Sequence, residues 1–173
     1  MENQKPTAGK FALNYGVILG VLMIAIGVVT YVTGLALQGE QWPNIIYYIA
    51  FPVVIMYAIS QYKKANANTL SLGDAIKVGL SIAVISAIVY LIYGLLFNYV
   101  IDPDFMPQMM EVIRDKTIEQ NPNMSQAQLD QSMKMVEMMF NPFIGSAFWV
   151  AMSAFFGLIY SIIGGLVMKT KSN

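Results

Sequence analysis

Residues 11 to 37, FALNYGVILGVLMIAIGVVTYVTGLAL, hold no charged side chain over 27 positions. A helix rises about 1.5 Å per residue, so this run covers a hydrocarbon core of roughly 30 Å with length left for tilt. Three more uncharged runs follow, at 44–62 (NIIYYIAFPVVIMYAISQY), about 78–101 (VGLSIAVISAIVYLIYGLLFNYVI) and 143–168 (FIGSAFWVAMSAFFGLIYSIIGGLVM). The composition agrees, because 57% hydrophobic residues and 12% charged ones in 173 lie outside the soluble range. The expected fold is all-α, a single four-span membrane domain over residues 1–173. Formal net charge zero gives no argument for nucleic-acid binding.

The first run is about twice as long as the apolar region of a signal peptide, and Gly34-Leu35-Ala36-Leu37-Gln38 is a poor cleavage site, so it reads as a retained span. The absence of cysteine removes disulfides, thiolate metal sites and cysteine nucleophiles without naming a compartment.

Lys and Arg resist translocation, so their distribution orients the spans. Lys5 and Lys10 precede the first span, Lys63, Lys64 and Lys77 lie around the second connection, and Lys169 and Lys171 follow the fourth span. The first connection, QGEQWP, has no basic residue. Both termini are therefore expected in the cytoplasm. The third connection, 102–142, sets Arg114, Lys116 and Lys134 against seven carboxylates, a net charge of −4, and is expected outside. Trp42, Tyr47, Tyr48 and Trp149 take interfacial positions in this arrangement.

Helix starts are legible too. Ser71 with Asp74 reads as a capping box, Pro43 as a first-turn proline, and Asn141-Pro142 as the cap and opening of span four. Asp74 could instead carry a proton or bind a cation, but its place three residues after Ser71 is that of a cap. Pro52 inside span two removes an amide donor and predicts a kink, which serves packing or acts as a hinge.

Helices in lipid associate through close packing, which small residues permit. Span one carries Gly16, Gly20, Gly27 and Gly34; span three Gly79, Ala83 and Ala87, then Gly94; span four Ser153, Gly157, Ser161 and Gly165. These stripes read as seams within one four-helix bundle. A homo-oligomer through span four is the alternative. Ionisable groups, which would mark a proton or ion path, are missing from the four runs.

The 41-residue third connection is long for an unstructured loop. Pro107 suits a first turn, Met106, Met110 and Ile113 recur around it at helical spacing, Asn121-Pro122-Asn123 breaks the pattern, and Ser125 with Gln128 forms a second capping box. Leu129, Met133, Val136 and Phe140 then mark an apolar stripe. The segment reads as an amphipathic, extracytoplasmic helical hairpin holding eight of the 13 methionines. Met133, Met135, Met138 and Met139 in MKMVEMMF are candidates for a soft-metal site, since thioethers favour such ions. With no histidine or cysteine to strengthen it, the packing reading leads, and no cofactor is expected. The acidic polar face argues against lying on anionic lipid and favours packing on the bundle mouth, on itself or on an envelope protein.

Asp102-Pro103-Asp104 could hold a divalent cation loosely, and otherwise caps helix ends or faces water. No catalytic constellation is present, so a non-enzymatic interaction or accessory role is expected. A small transporter or channel for a neutral or apolar solute, hinged at Pro52, is the alternative.

The blocks KFALNYGVILGVLMI, SLGDAIKVGLSIAVISAIVYLIYGLLFNYVIDPDF and GLIYSIIGGLVMKTK together resemble a bacterial inner-membrane family, domain of unknown function 4199. The resemblance implies four spans and an inner-membrane location. It carries no activity, substrate or site residues.

Overall fold

The computed structural model describes residues 7–40 and 42–170; Lys5 and Lys171, part of the charge asymmetry above, lie outside the described residues. In chain order the helices are α1 (Ala8–Val32), α2 (Leu35–Gln38), α3 (Trp42–Ala65), α4 (Leu72–Leu96), α5 (Phe105–Gln120), α6 (Gln126–Phe140) and α7 (Pro142–Met168). A π-helical segment, Phe97–Ile101, extends α4. No strand occurs among the described residues. Four helices, α1, α3, α7 and α4 with its extension, are long and apolar enough to cross a membrane. Only 22% to 33% of each apolar window is buried. Large side chains such as Ile18, Val32, Val53 and Val167 therefore point outward, an arrangement that lipid accommodates and water does not.

Local chemistry sets the helix ends. The Ser71 hydroxyl accepts from the Asp74 amide at 3.0 Å and donates to the Asp74 carboxylate at 2.7 Å, so Asp74 closes the first turn of α4. Asn141 Oδ1 accepts from the amides of Phe143 and Ile144, and Pro142 occupies the first turn of α7. The first apolar run differs from the single helix expected over 11–37. It breaks after Val32, and Gly34 sits at φ +72°, a left-handed conformation that glycine enters without a steric penalty. Gly34 is therefore a break between α1 and α2 rather than a member of the packing stripe. The nearest neighbour of a side chain placed there would be Gln38 Nε2, at 3.9 Å.

α4 is the central helix, flanked by α1 and α7, with α3 reaching all three. The two flanks are built differently. On the α1 side, glycines receive bulky side chains: a Cβ on Gly16 would lie 2.7 Å from Ile85 Cβ, and one on Gly20 2.7 Å from Val89. On the α7 side, small residues meet small ones. Gly157 faces Ala83 and Gly79 faces Ser161, while a Cβ on Gly165 would lie 2.7 Å from Leu72 Cδ1 and 2.9 Å from Ala75. Ser153, Ser161 and Ala87 are buried as well. Gly27 needs no such closeness, because a Cβ there would meet Tyr90 and Tyr93 at an ordinary 3.7 Å. Gly164, outside the expected stripe, fits against Met56 and Ile59 of α3. α3 runs unbroken through Pro52, whose neighbours Phe51 and Ile55 are buried in the core.

The two ends of the bundle are distinct. At one, the Thr170 amide donates to the Leu70 carbonyl at 3.0 Å, Lys63 Nζ donates to the Met168 carbonyl at 2.9 Å, and Phe11 stacks edge-on to Tyr62. The other holds α2 and the α5–α6 pair.

Replacing Gly157 by leucine drives a side chain into Ala83, and overpacking of this kind costs about 1–3 kcal/mol. The expected result is a melting temperature several degrees lower in detergent micelles. Gly9→Leu, where an added Cβ meets nothing within 4 Å, should melt like the parent. Equal melting of all three proteins would refute the α4–α7 seam.

Candidate functional site

The hairpin end starts where α4 widens. Across Phe97–Ile101 the helix takes π geometry, and the Asp102 amide closes it onto the Phe97 carbonyl at 2.9 Å. Short π segments recur at functional positions. Phe97, Phe105 and Tyr31 form a three-ring cluster with edge-to-face contacts at 4.9, 5.3 and 5.4 Å. The Tyr31 hydroxyl donates to Asp102 Oδ2 at 2.8 Å, joining the end of α1 to the start of the hairpin. Asp102 is thus an acceptor for tyrosine, while Asp104 holds the N-cap position of α5 without a side-chain bond. Among the described residues no group of three or more His, Cys, Asp or Glu is placed to hold a metal.

α5 has a second anchor, because the Lys116 ammonium crosses Gly39 and donates to the Gln38 carbonyl. α6 begins with a reciprocal cap, Ser125 Oγ accepting from the Gln128 amide and Gln128 Oε1 accepting from the Ser125 amide at 2.9 Å. Leu129 is buried, and Met133 and Val136 are half-buried behind it. Phe140, expected on the same stripe, is 39% exposed. Met135, Met138 and Met139 stand 58%, 53% and 57% exposed, at a spacing that puts them on one side of the helix. The structure therefore separates Met133 from the other three methionines. α6 returns to α7 across Gly145, where an added Cβ would run into the Met139 carbonyl.

Two clefts flank α7 below the hairpin, and Trp149 lines both. One, of about 370 Å³, lies between α3 and α7 and is lined by Tyr47, Phe51, Ser153 and Tyr160 among others. The second, of about 250 Å³, lies between the end of α4 and the start of α7, with Gly94 and Asn98 on one wall and Met106, Met139 and Phe140 contributed by the hairpin. Trp149 stacks between Tyr47 at 5.8 Å and Tyr90 at 6.1 Å, which fixes its indole across the gap between α3 and α4.

Two buried polar side-chain atoms have no partner among the described residues, Trp149 Nε1 and Asn98 Oδ1. They belong to residues that line the same second cleft. The Asn98 amide is oriented by Nδ2 donating to the Gly94 carbonyl at 2.8 Å, which leaves Oδ1 without a donor. An unsatisfied buried group costs about 1–3 kcal/mol, so two on neighbouring walls of the bundle, one donor and one acceptor, are uncommon.

A family model described as "Protein of unknown function (DUF4199)" matches residues 14–170. The chain belongs to this family. No curated protein and no solved structure matches it. The DUF4199 match spans α1 to α7 and includes the hairpin, but it assigns no activity, so function must come from the geometry.

That Asn98 and Trp149 line one cleft is not legible in the sequence, where Asn98 is a polar residue within the third apolar run and Trp149 reads as an interfacial aromatic. The available signal was an asparagine within an apolar span, where a polar side chain without a partner is costly.

The Tyr31–Asp102 bond ties α5 to the bundle, and its loss should cost about 1 kcal/mol. Tyr31→Phe is expected to speed amide hydrogen exchange across Phe105–Gln120 while leaving α4 protected. Unchanged exchange in α5 would show that the ring cluster alone holds the hairpin.

Proposed function

We propose that this DUF4199 protein is a non-enzymatic accessory protein of the bacterial inner membrane, with both termini in the cytoplasm and the α5–α6 hairpin on the outer side. The hairpin contacts a protein partner, either another envelope protein or a second copy of the chain. One observation carries this reading. Leu129 packs inside, while Met135, Met138 and Met139 remain more than half exposed on one side of α6. Flexible thioether side chains suit a surface that adapts to a partner. Carboxylates such as Glu137 and Asp130 on the same helix disfavour an anionic lipid surface as the docking face.

The tight seams of α4 with α1 and α7 argue against a path for solute along those interfaces. A pore would have to form elsewhere. This weighs the interaction reading above the transport one.

Sidedness is tested first, helped by the absence of native cysteine. Asn121→Cys, in the turn between α5 and α6, is expected to react with a membrane-impermeant maleimide in intact spheroplasts. Asn66→Cys, at the opposite end of the bundle, should react only after permeabilisation. Labelling of both, or of neither, before permeabilisation would overturn the proposed threading.

The contact is tested by photo-crosslinking in cells from positions 135 and 138. Discrete adducts are expected from both, and their mass separates a second copy from another protein. Met138→Glu should reduce the position-135 adduct severalfold, whereas Met138→Leu should preserve it. Adducts to lipid alone would sink the partner reading.

A further inference from the structure

We propose that the larger cleft, between α3 and α7, holds the planar, conjugated, uncharged ring of a molecule dissolved in the bilayer. Its shape follows from how the two helices part. Near the C-terminal end of α7 they close, since a Cβ on Gly164 would lie 2.8 Å from Met56 Sδ and 3.1 Å from Ile59. Toward the hairpin end rings hold them apart: Trp149 contacts Tyr47 at 5.8 Å, Tyr47 contacts Phe51 at 5.4 Å, and Phe51 contacts Tyr160 at 6.1 Å. From Trp149 to Tyr160 the cleft runs about 16 Å along α7 at about 1.5 Å per residue, roughly half of a hydrocarbon core of about 30 Å. Tyr47, Phe51 and Ser153 are buried and form its floor, whereas Tyr48, Phe148 and Phe156 are exposed at its rim. Both helices are apolar spans, so the rim opens to lipid tails rather than to water.

The lining narrows the ligand. No Asp, Glu, Lys or Arg lines the cleft, so an ion there would be left uncompensated among apolar walls. The volume, about 370 Å³, lies at the lower end of the roughly 300–1,000 Å³ of ligand pockets, which suits a ring system whose tail, if it has one, stays in the bilayer. A lipid tail competes poorly. Exchanging one apolar surrounding for another gains it little, and lying ordered in a groove costs it rotamer freedom. A rigid ring loses no such freedom, and offset or edge-to-face contact with aromatic walls adds attraction beyond the area buried. Seven of the nine lining residues are aromatic, so such contacts are available at the floor and at the rim alike.

The test uses the full chain in detergent with Trp42→Phe, which leaves Trp149 as the single tryptophan reporter. The probes are 1-bromonaphthalene and 1-bromodecane, which share their carbon count and a bromine that quenches indole emission but differ as ring against chain. Bromonaphthalene is expected to quench Trp149 saturably, and bromodecane to bind about tenfold more weakly, the value of two or so ring contacts. Phe148→Leu with Phe156→Leu keeps the rim apolar but removes its rings, and should cut the preference to about threefold or less at unchanged melting temperature. Phe148→Tyr with Phe156→Tyr should retain it. Trp149 also lines the second cleft, where Gly94→Leu fills open space, and that variant should bind bromonaphthalene as the parent does. Quenching that does not saturate, or equal binding of the two probes, would show that the groove holds lipid tails only and overturn the site. A preference unmoved by the leucine pair, or binding lost in Gly94→Leu, would overturn it as well, by placing the ring away from these walls.

Discussion

The approach of α7 to α4 through Gly157, Ala83, Gly79 and Ser161 is the constraint on which the rest of the bundle depends. Lipid tails are as apolar as leucine, so there is no expulsion of water to press these helices together, and close van der Waals packing must do it. Small residues on both sides let the backbones come near. The hydroxyls that this brings into the seam cause no penalty, because Ser161 donates to the Gly157 carbonyl and Ser86 to the Ala83 carbonyl at 2.9 Å. With α7 fixed on one flank and α1 seated on the other through Gly16 and Gly20, α4 becomes the axis around which α3 completes the bundle.

The same seam explains where the clefts open. Beyond Ala87 toward the hairpin, α4 presents Tyr90, then Gly94 and Asn98, and α7 answers with Trp149. Aromatic rings hold space that glycine and serine would close, and Gly94 leaves it unfilled. Above this region the π extension of α4 redirects the chain into α5, and the Tyr31–Phe97–Phe105 cluster with the Asp102 bond fixes that turn. Lys116 on Gln38 holds α5 from the other side. The hairpin is thus anchored through α5, while α6 keeps its methionine side free and lends Met139 and Phe140 to the second cleft.

Much of the helical layout was legible because it depends on local rules. Uncharged runs longer than a bilayer core mark spans, and Ser71, Ser125 and Asn141 stand at the helix starts that their side chains cap. Gly34 was misread for a physical reason. A glycine at helical spacing looks alike whether it admits a neighbouring helix or turns left-handed and ends its own, and only the backbone angle separates the two. Met133 and Phe140 show a similar ambiguity. A stripe drawn on a wheel continues indefinitely, but α6 has a finite contact with α5, so Leu129 is buried and Phe140 is not.

By itself the sequence determined that four helices are long and apolar enough to cross a membrane, three helix caps, the glycine and serine positions that allow close approach, and the acidic, methionine-rich character of the hairpin. These follow from interactions within about one helical turn or from bulk transfer of side chains into lipid. Only the tertiary structure decided which helix each small face meets, that Gly16 and Gly20 of α1 receive Ile85 and Val89 whereas Gly157 of α7 meets Ala83, and that Asn98 and Trp149, 51 positions apart by number, line one cleft. Close packing in lipid is specified by shape rather than by residue type, and complementary shape exists only once two surfaces are brought together.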